Sequence, residues 1–338
     1  MNRSAGEGNT PLIASAAIPG LQFKLESANP SGSYKDRFVA AQMRVMSDAG
    51  ARACLATSSG NTGSALAAAA ARARLRCVIL VNEDAPAGKL LQMRAHGALV
   101  VRVPRFVSAP EVTQAVFAIL EEAEVSLRAP LVVSAYHYCP DGMRGVETIS
   151  TELFRAAPHT RHVFVPVGGG GLYSAVVRGF ASATPASPLV HAVQPEGCPT
   201  LLDAIRHNRG TVEPVTSTTR ISGLSVPFDL DASLALTLQR ENGGSTIGVT
   251  DDDVFAAQDM LFRDEGICAE PAGAAALAGY LRARQSGMVG EGDPCICLVT
   301  GHGLKDLASI ERVADLSPSP RCQPAELREY LSSVVEGA

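Results

Sequence analysis

The stretch His162-Val-Phe-Val-Pro-Val-Gly168-Gly169-Gly170-Gly171-Leu172 decides the fold. Its first six residues form a short, almost wholly apolar run, the pattern of a strand buried on both faces of a parallel sheet. Four glycines then carry the chain into a helical segment, 172–183. A tight strand-to-helix turn needs one or two glycines, not four. A longer backbone free of side chains at a helix N-terminus folds its N–H groups around a phosphate, using the helix dipole and the donors left over there. No Lys-Ser/Thr pair follows, which separates the run from a Walker loop, and Tyr173 stands where a G-x-G-x-x-G fingerprint has its third glycine.

Outward from this point the same alternation repeats. Strands are expected at 22–26, 53–57, 76–81, 99–103, 131–134, 162–167, 189–193 and 295–300. Helices are expected at 34–49, 62–74, 88–96, 110–124, 144–157, 172–183, 251–264 and 271–284. This is the α/β class, with open parallel sheets flanked by helices. At 338 residues the chain exceeds what one hydrophobic core usually supports, so two lobes are expected. The alanine-rich stretch 65–73 reads as a helix packed closely on a sheet. Ser317-Pro-Ser-Pro320 marks a stop after the last core element, and 325–335 has helical periodicity suited to docking on the body or on a second subunit.

Hydrophobic residues make up 46% of the chain and charged residues 19%, which describes a globular protein. The net charge of −5, with no basic cluster, excludes a nucleic-acid footprint and points to small-molecule partners. Eight cysteines lie scattered without C-x-x-C pairs, several in apolar runs, as expected of reduced buried thiols in a cytoplasmic protein. Cys295 and Cys297 share one strand face, but no second pair or histidine cluster completes a zinc site, so no metal is expected. Residues 1–8 lack an apolar core of signal-peptide length, and no apolar stretch is long enough for a membrane span; an unexported protein without a membrane segment is expected.

Chemistry enters with Asn29-Pro-Ser-Gly-Ser-Tyr-Lys35-Asp-Arg37, a Gly/Ser/Pro-punctuated turn that delivers one lysine to the start of a helix. The positive end of the helix dipole works against an ammonium there, and a free amine so held forms a Schiff base with an aldehyde. The commonest enzymatic aldehyde is pyridoxal phosphate. A lysine before a helix is also an ordinary surface feature, so the other handles of that cofactor must be present. Thr57-Ser58-Ser59-Gly60-Asn61-Thr62-Gly63 follows a strand and opens a helix; its hydroxyls and free N–H groups suit a small carboxylate, where a plain N-cap would need one such residue. Thr300-Gly-His-Gly-Leu-Lys-Asp306 ends a buried strand in a polar turn. Ligands of open parallel sheets sit at the carboxyl ends of strands, and all three turns share that edge. A reactive lysine, a phosphate cup and a carboxylate loop match pyridoxal phosphate plus an amino acid.

Six segments also resemble threonine synthase, of the tryptophan-synthase-β (fold type II) group of pyridoxal phosphate enzymes. They are Gly6-Glu-Gly-Asn-Thr-Pro-Leu12, Asn29 to Arg37, Ser58 to Thr62, Pro86-Ala-Gly-Lys-Leu-Leu-Gln92, Glu270-Pro-Ala-Gly-Ala274 and Thr300 to Asp306. The resemblance implies pyridoxal 5'-phosphate held by Lys35, which also serves as acid and base. It implies Asn61 on the 3-hydroxyl, Gly168, Gly169, Gly170 and Gly171 on the phosphate, and Thr300 at the pyridine nitrogen. Ser58, Ser59, Gly60 and Thr62 would take the substrate carboxylate. It further implies a large lobe of residues 1–38 and 148–338, a small mobile lobe of residues 39–147, and a homodimer.

The chain departs from the family where the substrate's phosphate is bound. Threonine synthases carry Asn-Pro-x-Arg followed by Glu-Gly-Gln-Lys-Thr; here the run is Cys139-Pro-Asp-Gly-Met-Arg-Gly-Val-Glu-Thr148. Gly142 occupies the arginine position and Glu147 the lysine position, leaving Arg144 as the substitute candidate. The four-glycine run and Glu270-Pro-Ala-Gly-Ala274 lean toward threonine and serine dehydratases. Two readings therefore stand: γ-elimination and replacement on O-phosphohomoserine, or β-elimination or β-replacement on a hydroxy or otherwise activated amino acid. A third is a catalytically idle binding homologue.

Overall fold

A computed structural model of the chain describes residues 5–85, 87–106, 109–184 and 187–336. Pro86, which opens one of the quoted segments, and residues 1–4 of the N-terminus lie outside these. The strands are β1 Leu12–Ala14, β2 Leu21–Leu25, β3 Ala53–Thr57, β4 Arg76–Asn82, β5 Leu99–Val103, β6 Leu131–Val132, β7 His162–Pro166, β8 Leu189–Pro195, β9 Thr246–Val249 and β10 Cys295–Val299. The α-helices are α1 Lys35–Asp48, α2 Asn61–Ala73, α3 Ala87–Ala95, α4 Pro110–Ser126, α5 Pro140–Ala156, α6 Gly171–Ala183, α7 Thr200–Arg206, α8 Ala232–Asn242, α9 Asp251–Arg263, α10 Pro271–Gln285, α11 Leu307–Ala314 and α12 Leu327–Glu336.

Two sheets result. The larger runs β1-β2-β10-β7-β8-β9 and the smaller β5-β4-β3-β6; every pair is parallel except β1 with β2. The all-apolar runs occupy the middle of the larger sheet, where β7 and β10 are buried at every residue. Edge strand β5 keeps only partial cover. Such strands gain hydrophobic stabilisation from helices on both faces. On one face Val163, Val190 and Ile296 share a core with α1, α5 and α6, and this core continues into β3 and β4 of the smaller sheet. On the other, Phe23, Phe164 and Val193 pack against α9 and the alanine-rich α10.

The eight expected strands and eight helices all form, and the structure adds β1, β9, α7, α8 and α11. β1 and β9 are short edge strands, too brief to show a period of two. Helix α5 starts at Pro140, four residues before the expected start, because proline at the first helical turn gives up an N–H that has no partner there anyway. β6 stops two residues short because Ala135 N–H turns back to Val133 O at 2.8 Å. Six cysteines are buried, two are partly exposed, and all eight are free thiols. Among the described residues no helix is long and apolar enough to cross a membrane. The apolar side chains of α12, including Leu327 and Leu331, are exposed.

A buried ionic network joins β2, α1 and α5. Arg37 donates to Glu26 Oε2 at 2.7 Å and to Glu152 Oε1 at 2.6 Å, and Lys24 donates to Glu152 Oε2 at 2.6 Å. Burial works against the Glu152 charge, yet hydrogen bonds from Arg37 and Lys24 outweigh it and hold its pKa down to about 2.

Candidate active site

The lysine turn is built from its own sequence. Gly32, at φ +88°, donates its N–H to Asn29 O at 2.7 Å. Ser31 donates through both N–H and Oγ to the Asp36 carboxylate at 2.9 Å. Tyr34 N–H then reaches Thr300 O at 3.1 Å, and His302 N–H reaches Gly32 O at 2.9 Å, so the end of β10 clamps the turn. Lys35 opens α1, and its Nζ donates to Ser134 Oγ at 2.5 Å.

The glycine run follows β7 and opens α6, as its sequence predicts. Its composition has a steric cause as well as a chemical one. Asp231 N–H donates to Gly169 O at 2.8 Å, and a Cβ on Gly170, at φ +92°, would lie 2.6 Å from Asp231 O. The segment 223–231 approaches so closely that any side chain on Gly168, Gly169 or Gly170 would meet it.

Residues 58–62 follow β3 and open α2. Ser58 Oγ accepts from Gly63 N–H at 3.2 Å, which rounds the loop. Thr62 Oγ1 lies 3.2 Å from Ser134 Oγ. Asn61 Nδ2 donates to Glu270 Oε1 at 2.6 Å. Burial pushes the Glu270 pKa up against the opposing pull of Asn61, Lys305 and Lys89, and it pushes that of Lys305 down against Glu270 and Asp36.

All these groups converge on one cavity of about 1570 Å³. Lys35, Ser58, Ser59, Gly60, Asn61, Thr62, Gly168, Gly169, Gly170, Gly171 and Thr300 line it together. Arg144 does not, which corrects the expectation that it replaces the family's arginine. It lies on the outer side of α5, 70% exposed at its side chain, with Nη1 2.5 Å from Asp141 Oδ1. Position 142 could not supply an arginine either: it faces α1, and a Cβ there would sit 2.6 Å from the Phe38 ring. Glu147 points elsewhere, accepting from Tyr136 Oη at 2.7 Å.

Sequence reasoning missed Ser134, Glu270 and Lys89 as lining groups; His302 and Lys305, expected near the ring but only as shapers of the turn, line the cavity too. Glu270 and Lys89 lie inside segments of the family resemblance, so the signal for them existed. Ser134 sits in an unremarkable strand end and had none.

The residues present fit pyridoxal phosphate. A side-chain-free cradle at a helix N-terminus shares a cavity with a lysine amine, and a Cβ on Gly170 would collide with the neighbouring segment. The comparisons agree. The chain belongs to the family described as pyridoxal-phosphate dependent enzymes, which it matches over residues 3–301. It is 32% identical to a threonine synthase of Halalkalibacterium halodurans, over 98% of this chain and 92% of that one. Maize serine racemase shares the fold with a TM-score of 0.78 at 22% identity, covering 91% of this chain and 92% of that one. The processed form of threonine deaminase isoform 2 from Solanum lycopersicum has a TM-score of 0.76 at 22% identity, covering 91% and 83%. The fold is therefore type II, and the cofactor is pyridoxal phosphate.

Proposed function

We propose that the chain is a carbon–oxygen lyase acting on an activated or hydroxy amino acid, most like threonine synthase, which converts O-phosphohomoserine and water to threonine and phosphate. The convergence of Lys35, the glycine cradle, the 58–62 loop and Thr300 on one cavity carries this reading. Pyridoxal phosphate, when bound, supplies an electron sink that acidifies the Cα hydrogen of an amino acid. Lys35 Nζ would hold the cofactor, and as a free amine would take the α-proton and return it.

Gly168 to Gly171 would hold the phosphate with backbone N–H groups. Asn61, its amide turned by donation to Glu270, would meet the ring 3-hydroxyl. Thr300 would serve the pyridine nitrogen; a hydroxyl stabilises a protonated ring less than a carboxylate does, which favours elimination and replacement over transamination. Ser58, Ser59, Gly60 and Thr62 seat the substrate carboxylate. The small lobe, residues 39–147, closes on the large lobe of residues 1–38 and 148–338 and excludes water. The protein acts as a cytoplasmic homodimer.

One observation favours a second reading, dehydratase-type β-elimination or β-replacement: among the described residues, no arginine lines the cavity. A phosphate monoester is commonly gripped by a bidentate guanidinium. Offering O-phospho-L-homoserine, L-threonine and L-serine separately decides between the two. Phosphate release from the first supports the synthase reading, and 2-oxo acid from the others supports the dehydratase. A purified protein with no visible cofactor band and no turnover of any of the three would leave the idle homologue.

A further inference from the structure

Ser134 lies against Lys35, Thr62 and the end of the glycine run. Leu131 and Val132 of β6 lie opposite Leu55 and Ala56 of β3, which sets Ser134 beside the 58–62 loop on the same sheet edge. The turn closed by Ala135 N–H on Val133 O, with Ala135 wholly buried, fixes its backbone. Its Oγ accepts from Lys35 Nζ at 2.5 Å and lies 3.2 Å from Thr62 Oγ1. Its carbonyl oxygen lies 3.5 Å from where a Cβ on Gly171 would stand.

Lys35 Nζ donates to Ser134 Oγ, which leaves the one hydroxyl hydrogen of Ser134 available to Thr62 Oγ1, a contact in which either hydroxyl can donate. When Ser134 is the donor, Thr62 keeps its own hydrogen for an acceptor in the cavity, and the α-carboxylate of an amino acid is such an acceptor. We propose that Ser134 is a positioning residue, whose hydroxyl relays from Lys35 to Thr62, aims Nζ into the cavity and links the amine to the seat of the carboxylate. This rests on the reading of Lys35 as the cofactor lysine. When Nζ condenses with the cofactor aldehyde, an Nζ–C bond forms and the aldehyde oxygen leaves as water with two hydrogens from the amine. An amine held in place by Ser134 meets the aldehyde carbon without first searching its rotamers.

The test uses the full chain freed of cofactor and mixed with pyridoxal phosphate, following the rise of visible absorption. Ser134→Ala reaches the wild-type amplitude about tenfold more slowly, and Ser134→Thr recovers to within about threefold of wild type, because the hydroxyl and not the side-chain bulk does the positioning. On whichever of O-phospho-L-homoserine, L-threonine and L-serine the wild type turns over, kcat of Ser134→Ala falls about tenfold while KM stays within about threefold. Rates within about twofold of wild type in both assays overturn the proposal. So does an equal loss of final amplitude in the alanine and threonine variants, which would mark Ser134 as scaffold. A wild-type band that persists in Lys35→Ala instead sinks the reading of Lys35, so the two failures are told apart.

Discussion

At the scale of single residues, each reading of the site stands on one atom or one dihedral. Lys35→Ala removes the only amine held at the start of α1, so the loaded protein is expected to lose its visible absorption and at least about a thousandfold in turnover. A spectrum and a rate, taken on the same preparation, check this. Gly170→Ala places a methyl 2.6 Å from Asp231 O on a backbone at φ +92°. Strain of about 1–3 kcal/mol at the cradle is expected to weaken cofactor binding about tenfold or more, read from an absorbance titration with pyridoxal phosphate. Lysine, glycine and threonine were legible here because each type carries a distinct chemical or conformational capability. Ser134 was not, since a serine at a strand end has many bland uses and only its distances to Lys35 and Thr62 single it out.

Among elements, the crossing of α1 and α5 explains what the chain gave up relative to its relatives. Gly142 and Gly145 let α5 lie directly on Phe38 and the Arg37 carbonyl. Restoring the family residue with Gly142→Arg is therefore expected to lower the melting temperature without creating a phosphate grip, as checked by calorimetry and by the KM for O-phospho-L-homoserine. The same crossing is tied by the Arg37 network. Glu152→Gln leaves Arg37 and Lys24 short of charge compensation while both stay buried, and a loss of about 3–5 kcal/mol in urea unfolding is expected. The start of α5 at Pro140 could be read from its proline. That no residue of α5 lines the cavity could not, because the directions of Gly142, Arg144 and Glu147 are set by packing on α1 and on Tyr136.

For the whole molecule, stability should fall with acid in two steps. Buried His191 lies 2.9 Å from His162, and burial with the neighbouring His162 lowers its pKa to about 4. An unfolded histidine binds its proton near pH 6.5, so unfolding gains protons first and stability drops as pH falls from about 6.5 to about 4. Glu152, with its pKa held down to about 2, stabilises the fold above the ordinary carboxylate range and loses that contribution as pH falls from about 4.5 to about 2. Melting curves across this range should show both steps, and His191→Gln should shrink the upper one, leaving the part that burial of His162 contributes. The sequence by itself determined the α/β class, the order of strand and helix and the cofactor, and it singled out Lys35 as the candidate lysine, since these rest on local periods, turn chemistry and motifs a few residues long. Only the tertiary structure decided that the loops of two sheets open on one cavity, that Arg144 faces solvent, and that Ser134 joins Lys35 to Thr62. Those facts depend on contacts such as Lys35 with Ser134, 99 residues apart, and Asn61 with Glu270, 209 apart, and no local pattern records which distant side chain will meet another.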